Sequence, residues 1–324
     1  GRMGSKMAGA GLGGEEDFAV ATGAEAGRAK PSGVLGRSLR HFDVNAVREG
    51  DEVEKRKGQE RLFEAVRAGD FRGTVDAICG GAQAEGRTLR GQSPLMLAAS
   101  SCTKGTMDTV KFLFEAQAAI EGKDELGWTP LLHACRNSQL EAVLFLVEKG
   151  ASVRARANDG KTSAMLASMD GAEKIVIELV NKNADVDKKD DRGWPLLFYA
   201  IEDDSGGLVK WLLKKSANPK DKSKEGLTAM HVAAVAGDRK VGAQLLKRGA
   251  PMNSKDNTGH TPLMVALRAC REEFVDFLLE EHADVSIRNN KDEDACDIAE
   301  SLGLNAIVNK IMAKARLGND DFQH

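Results

Sequence analysis

The chain has 324 residues, 29% of them charged, and a net charge of only −3. That balance lacks the basic excess of a nucleic-acid-binding surface, and no apolar run approaches the roughly 20 residues needed to cross a bilayer. Five cysteines (Cys79, Cys102, Cys135, Cys270, Cys296) form no CxxC pair and are odd in number, which fits free thiols in a reducing compartment, the cytoplasm or nucleus; organelle import stays open.

In chain order, Gly1-Arg2-Met3-Gly4-Ser5-Lys6-Met7 reads as a cloning remnant or an internal fragment, with Met3 and Met7 as candidate starts. It lacks the apolar core of a secretory signal, and Glu15, Glu16 and Asp17 weaken a transit-peptide reading. Residues 1–50 are rich in glycine and alanine without a sustained period and read as a mobile leader. The mixed charges of residues 44–57 suit a short helix leading into the repeating part of the chain.

From there alanine recurs at residues 65, 98, 134, 167, 200, 233, 266 and 299, with gaps of 33 and a single gap of 36. A fixed period in this range marks one supersecondary element copied and stacked. Seven residues before the alanine stands Gly58, Gly91, Gly127, Gly160, Gly193, Gly226 or Gly259, with Asp292 in the eighth copy; this glycine marks a tight turn. Ser93, Thr129, Thr162, Thr228 and Thr261 then suit helix N-caps, and Pro94, Pro130 and Pro262 suit the first helical position. Leu62, Leu95, Leu131, Leu197 and Leu263 are the first core residues of a short helix, which Gly69, Gly105, Gly171, Gly237 and Gly303 close in five copies. A second helix carries Val110, Val143, Val176, Val209, Val275 and Val308 on its core face, with Gly242 the exception. Leu113, Leu146, Leu179, Leu212, Leu245, Leu278 and Ile311 stand three residues later on the same face. The recurrent alanines are small because two helices cross there.

The copies Thr129-Pro130-Leu131-Leu132-His133-Ala134, Thr228-Ala229-Met230-His231-Val232-Ala233 and Thr261-Pro262-Leu263-Met264-Val265-Ala266 resemble the T-P-L-H-x-A signature of the ankyrin repeat. The resemblance implies an all-α ankyrin-repeat solenoid of eight repeats over residues 51–316, with projecting β-hairpin fingers, degenerate first and last caps, and a frayed tail at 317–324. His231 is expected to bond to Thr228 at its helix start, and Cys135 and Cys296 to fill buried positions as small apolar groups. Two departures stand out. Ser100-Ser101-Cys102-Thr103-Lys104 is three residues longer than its counterparts and reads as a tolerated loop or a docking element. Gly206-Gly207 and Gly242 predict a soft seam between the fifth and sixth repeats.

No catalytic constellation, phosphate loop, metal-ligand spacing or cofactor motif is present, so no cofactor is expected. The paired lysines at 188–189 and the run over 220–224 read as solvated charge, as does the contrast between lysines at 214–224 and carboxylates at 272–281. The resemblance implies a protein partner gripped by finger tips and the exposed end of the first helix. Carried over by position, the contacts are Gln92, Trp128, Lys161, Trp194, Leu227 and His260 after the finger glycine, with Leu126, Arg192, Lys224 and Arg136 beside them. Trp128 and Trp194 read either as aromatic anchors of that surface or as rings packed on the next finger. The expected function is a non-catalytic scaffold or adaptor, monomeric when isolated or one subunit of a larger complex. The alternative is a substrate-recruiting or regulatory portion of a larger enzyme or assembly.

Overall fold

A computed structural model describes residues 44–103 and 105–320, with side chains described over 52–103 and 105–314. Residues 1–43 of the leader expected over 1–50, and the last four residues of the expected tail, lie outside the described residues. The described chain divides between Glu125 and Leu126 into two compact bodies. Among the described residues there are sixteen helices, paired in sequence.

The N-terminal body holds α1 (Val44–Ala68), α2 (Phe71–Cys79), α3 (Pro94–Ser100) and α4 (Thr106–Glu115). The short helix expected over 44–57 is not separate: it runs on as α1, and the leader therefore ends before Val44 rather than at 50. The segment is rich in good helix formers, and its two interior glycines, Gly50 and Gly58, cost only about 1 kcal/mol each; Gly58 is helical rather than the tight turn its register predicts. The C-terminal body holds α5 (Pro130–Arg136) with α6 (Leu140–Glu148), α7 (Ser163–Ser168) with α8 (Glu173–Asn181), and α9 (Leu196–Glu202) with α10 (Gly206–Lys214). Then come α11 (Ala229–Ala236) with α12 (Arg239–Lys247), α13 (Pro262–Arg268) with α14 (Glu272–Glu280), and α15 (Ala295–Ser301) with α16 (Asn305–Asp320). The tail expected to fray from 317 is helical to Asp320.

Each first helix packs on the second helix of its own repeat and, within a body, on the first helix of the next. Leu62, Leu95, Leu131, Leu197 and Leu263 are all buried, as are the recurrent alanines from Ala98 to Ala299. Burying such a leucine contributes about 1.5–3 kcal/mol, a gain no single repeat obtains alone because its neighbours supply half the shelter. Cys135 is buried as expected, and burial pushes its thiol pKa far up. Cys296 corrects the expectation: it is only half-buried, and no further repeat covers its copy among the described residues.

Three positions per repeat are left-handed. The finger row is Gly91, Gly127, Gly160, Gly193, Gly226, Gly259 and Asp292. The turn between helices is Gly105, Ser138, Gly171, Asp204, Gly237, Cys270 and Gly303, and the turn after the second helix is Gln117, Gly150, Asn183, Ser216, Gly249 and His282. The last two rows include non-glycine residues, and in the turn after the second helix there is room: a Cβ at Gly150 would meet nothing within 4 Å. At Gly193 it would lie 2.9 Å from the Lys224 nitrogen, and at Gly259 2.6 Å from that of Asn290. The finger glycine is therefore required twice over, by its positive φ and by the next finger. Among the described residues no later finger presses on Asp292.

The seam expected between the fifth and sixth repeats needs correction at its packing basis. α9 packs on α11 and α10 on α12. At Gly242 the missing valine is replaced from the next repeat: a Cβ there would meet Phe277 Cε1 at 2.6 Å and Phe274 Cε2 at 2.8 Å. Both rings are buried and tilt against each other at 5.4 Å. The glycine makes room for aromatics.

Candidate functional site

The fingers are turns rather than the extended β-hairpins expected, a further correction. Among the described residues the only β pairings are the single bridges Arg156–Thr162 and Lys189–Pro195. Several fingers are instead closed by one side chain three residues before the turn residue, whereas Ala157 holds that place before Gly160. Asp190 Oδ1 accepts from the backbone N–H groups of Arg192 at 3.0 Å and Trp194 at 2.7 Å. Ser223 Oγ does the same for Glu225 and Leu227, and Asp256 Oδ1 for Thr258 and His260. A short polar side chain that satisfies two backbone donors makes a turn without needing a sheet partner.

Successive fingers of the C-terminal body are bonded to one another. Backbone N–H groups of Asn158, Asp191, Lys224, Asn257 and Asn290 donate to the carbonyls of Leu126, Asp159, Arg192, Glu225 and Thr258 at 2.9–3.1 Å. Basic side chains one period apart add a second rail. Arg156 donates to the Lys189 carbonyl at 2.7 Å, Lys189 to that of Lys222 at 3.2 Å, and Lys222 to that of Lys255 at 3.3 Å. Lys189 and Lys222 therefore brace the array, which corrects the expectation of solvated charge. The signal was present in the sequence as a 33-residue basic period, masked by the neighbouring lysines.

The first helices are held to this row of fingers by their caps. Thr129, Thr162 and Thr261 accept from the N–H three residues on. At Thr228 the expected partner is present: His231 Nδ1 accepts from the Thr228 N–H at 3.1 Å and lies 2.8 Å from its hydroxyl. An accepting Nδ1 places the proton on Nε2, which donates to the His260 carbonyl of the next finger at 3.1 Å. Burial holds the pKa of this imidazole below its usual 6.5, opposed in part by that bond.

The fifth repeat solves the same problem differently. Pro195 occupies its cap position and offers no side-chain bond. Tyr199 on α9 instead donates to Asp190 Oδ2, and the Arg192 guanidinium lies 4.1 Å from the Trp194 ring centre. Trp194, expected as an exposed anchor, is only 9% exposed: it packs on Phe198 and Tyr199 and belongs to the core of its finger. Trp128 is half-buried with its ring edge on His133.

The other expected contact residues separate by how firmly they are held. Arg136 is paired with Asp170 at 2.8 Å, and Lys161 with Asp159. His260 and Leu227 are half-buried at finger stems, and Lys224 and Arg192 are exposed. Leu126 is 62% exposed at its tip. Gln92, in the N-terminal body, is half-buried and donates its N–H to the Thr88 hydroxyl.

The structure also brings out a row that sequence reasoning sampled only at Arg136. The residues two positions after the recurrent alanine are Arg136, Met169, Glu202, Val235 and Arg268, at the C-terminal ends of successive first helices. Met169 is 38% and Val235 53% exposed. Apolar side chains at positions otherwise held by charge were the available signal. Among the described residues no group of three or more His, Cys, Asp or Glu is placed to hold a metal ion. No described helix is long and apolar enough to cross a membrane.

Compared with known protein families, the chain matches a model described as ankyrin repeats, three copies, over residues 62–157, 152–223 and 197–289. Comparison with curated proteins gave no match.

Proposed function

We propose a protein-scaffolding function for this chain, which belongs to the ankyrin-repeat family. The family consists in general of protein–protein interaction modules and is typically non-catalytic. The finer reading is that the C-terminal body grips a protein partner along its finger tips and first-helix ends, as an adaptor without chemistry of its own.

One observation carries this reading. Met169 and Val235 expose apolar surface at matching positions two repeats apart, with Glu202 between them and Arg136 and Arg268 outside them. Exposed apolar side chains framed by charge are the composition of an interface core with a polar rim. Trp194 is excluded from the contact set by its burial, and Lys161 and Arg136 support it indirectly through their ion pairs.

The test is affinity capture with the full chain against a Met169→Glu, Val235→Glu double variant, with Leu144→Glu as a control. Leu144 is 42% exposed on α6, a second helix. The reading requires proteins recovered by the native chain and the control but lost from the double variant. Identical recovery with all three removes this row as the docking surface.

A further inference from the structure

Within the C-terminal body, α8 and α10 approach each other less closely than do the other successive second helices. Beside their C-terminal ends opens a cavity of about 760 Å³, within the size range of small-ligand sites. None of the side chains assigned above to the docking row lines it.

Its polar wall is cationic. Arg154 and Arg156 come from one finger stem, Lys188 from the next, and Lys215 from the residue that closes α10. Asp185 is the one carboxylate in the lining, and it already accepts the Asp187 N–H at 3.0 Å. Arg156 is held in place by bonds to the Gly160 and Lys189 carbonyls. Lys215 lies 5.4 Å from the Trp211 ring centre.

The side chains of Arg154 and Lys188 have no ion pair, hydrogen bond or ring contact among the described residues. Several cations elsewhere in the same body are matched: Lys189 with Asp221 at 3.1 Å, Arg239 with Glu280 at 2.5 Å, and Lys310 with Asp276 at 2.6 Å. Here two unmatched cations line one cavity together with Arg156 and Lys215. The end of α8 contributes roughly half a negative charge, and with Asp185 it offsets only part of the four positive ones.

We propose that this cavity binds a small, multiply charged phosphate compound with two or more linked phosphates. Arg154 presents a forked donor suited to phosphate oxygens, Arg156 keeps N–H groups beyond its two carbonyl bonds, and the lysines add point charges. The cations come from two successive fingers and a helix end, so one phosphate engages only part of the wall whereas a linked chain engages all of it. The site is independent of the protein-docking row.

The test is calorimetric titration of the full chain with inorganic tripolyphosphate at low salt, with orthophosphate and an oligoglutamate peptide as comparison ligands. Arg154 and Lys188 are exposed, so an Arg154→Ser, Lys188→Ser double variant keeps the fold, checked by circular dichroism; Lys240→Ser on α12 removes an exposed cation elsewhere. The expected result is saturable tripolyphosphate binding, roughly tenfold or more weaker in the double variant, unchanged in Lys240→Ser, and weakened by added salt. No saturable binding, equal weakening in Lys240→Ser, or tighter variant-sensitive binding of oligoglutamate would each overturn the proposal.

Discussion

The Tyr199 hydroxyl donates to Asp190 Oδ2 across 2.6 Å, tying the first helix of the fifth repeat to its own finger. In α5, α7, α11 and α13 a threonine cap sits at the helix start; here proline has taken that position, and a residue one turn into α9 reaches back instead. Both partners are buried, and burial together with the neighbouring carboxylate pushes the phenol pKa well above its usual 10. Tyr199→Phe leaves Asp190 Oδ2 with only Arg192, at 3.6 Å. The expected cost is about 1–3 kcal/mol, the usual penalty for orphaning a buried acceptor. Urea unfolding of the full chain measures it, and a change near zero would show that the bond contributes little.

Gly242 gives a prediction opposite to the one its sequence row suggests. Restoring the period with Gly242→Val would place new atoms against Phe274 and Phe277, which already occupy the space. Overpacking of this kind destabilises by about 1–3 kcal/mol. Thermal unfolding decides between the two: a raised midpoint would mean that the space is empty after all.

The glycines seven residues before the recurrent alanine are of two kinds. Gly193→Ala and Gly259→Ala combine positive φ with a Cβ pressed on the next finger's backbone, and each is expected to destabilise by more than about 1 kcal/mol. Gly58→Ala lies inside α1 with nothing within 4 Å of its Cβ, and is expected to stabilise by about 0.5–1 kcal/mol. The contrast in sign is the measurement, taken by denaturant titration of the three variants in parallel.

His231 makes the fold sensitive to acid. Its folded pKa lies below the usual 6.5, so the unfolded chain takes up the proton first as pH falls. The neutral imidazole's contribution is complete above about pH 6.5, declines as pH drops below that value, and stops changing below the folded pKa. Comparing unfolding free energies between pH 7.5 and 5 for the native chain and His231→Gln tests this. The native chain should lose more stability over that range, and parallel slopes would show that the loss comes from other groups.

Much of the array was legible because it repeats. One period aligns the caps, core leucines and recurrent alanines, and burial of the same rows in copy after copy results from that alignment. The candidate surface was less legible, because exposure depends on neighbours that a single position does not reveal. Trp128 and Trp194 share a register, yet Trp194 is enclosed by Phe198, Tyr199 and Arg192. Met169 and Val235 were overlooked because apolar residues near a helix end read as core.

By itself the amino-acid order determined the helical repeat, its turn glycines, and the local bond between His231 and Thr228, because these depend on residues a few positions apart. Tertiary structure alone decided that Phe274 and Phe277 fill the space above Gly242, that Lys189 and Lys222 brace successive fingers, and that Arg154 and Lys188 share one cavity. Those relationships join side chains of different repeats. Their geometry is set by how the copies stack, and the period records only that they do.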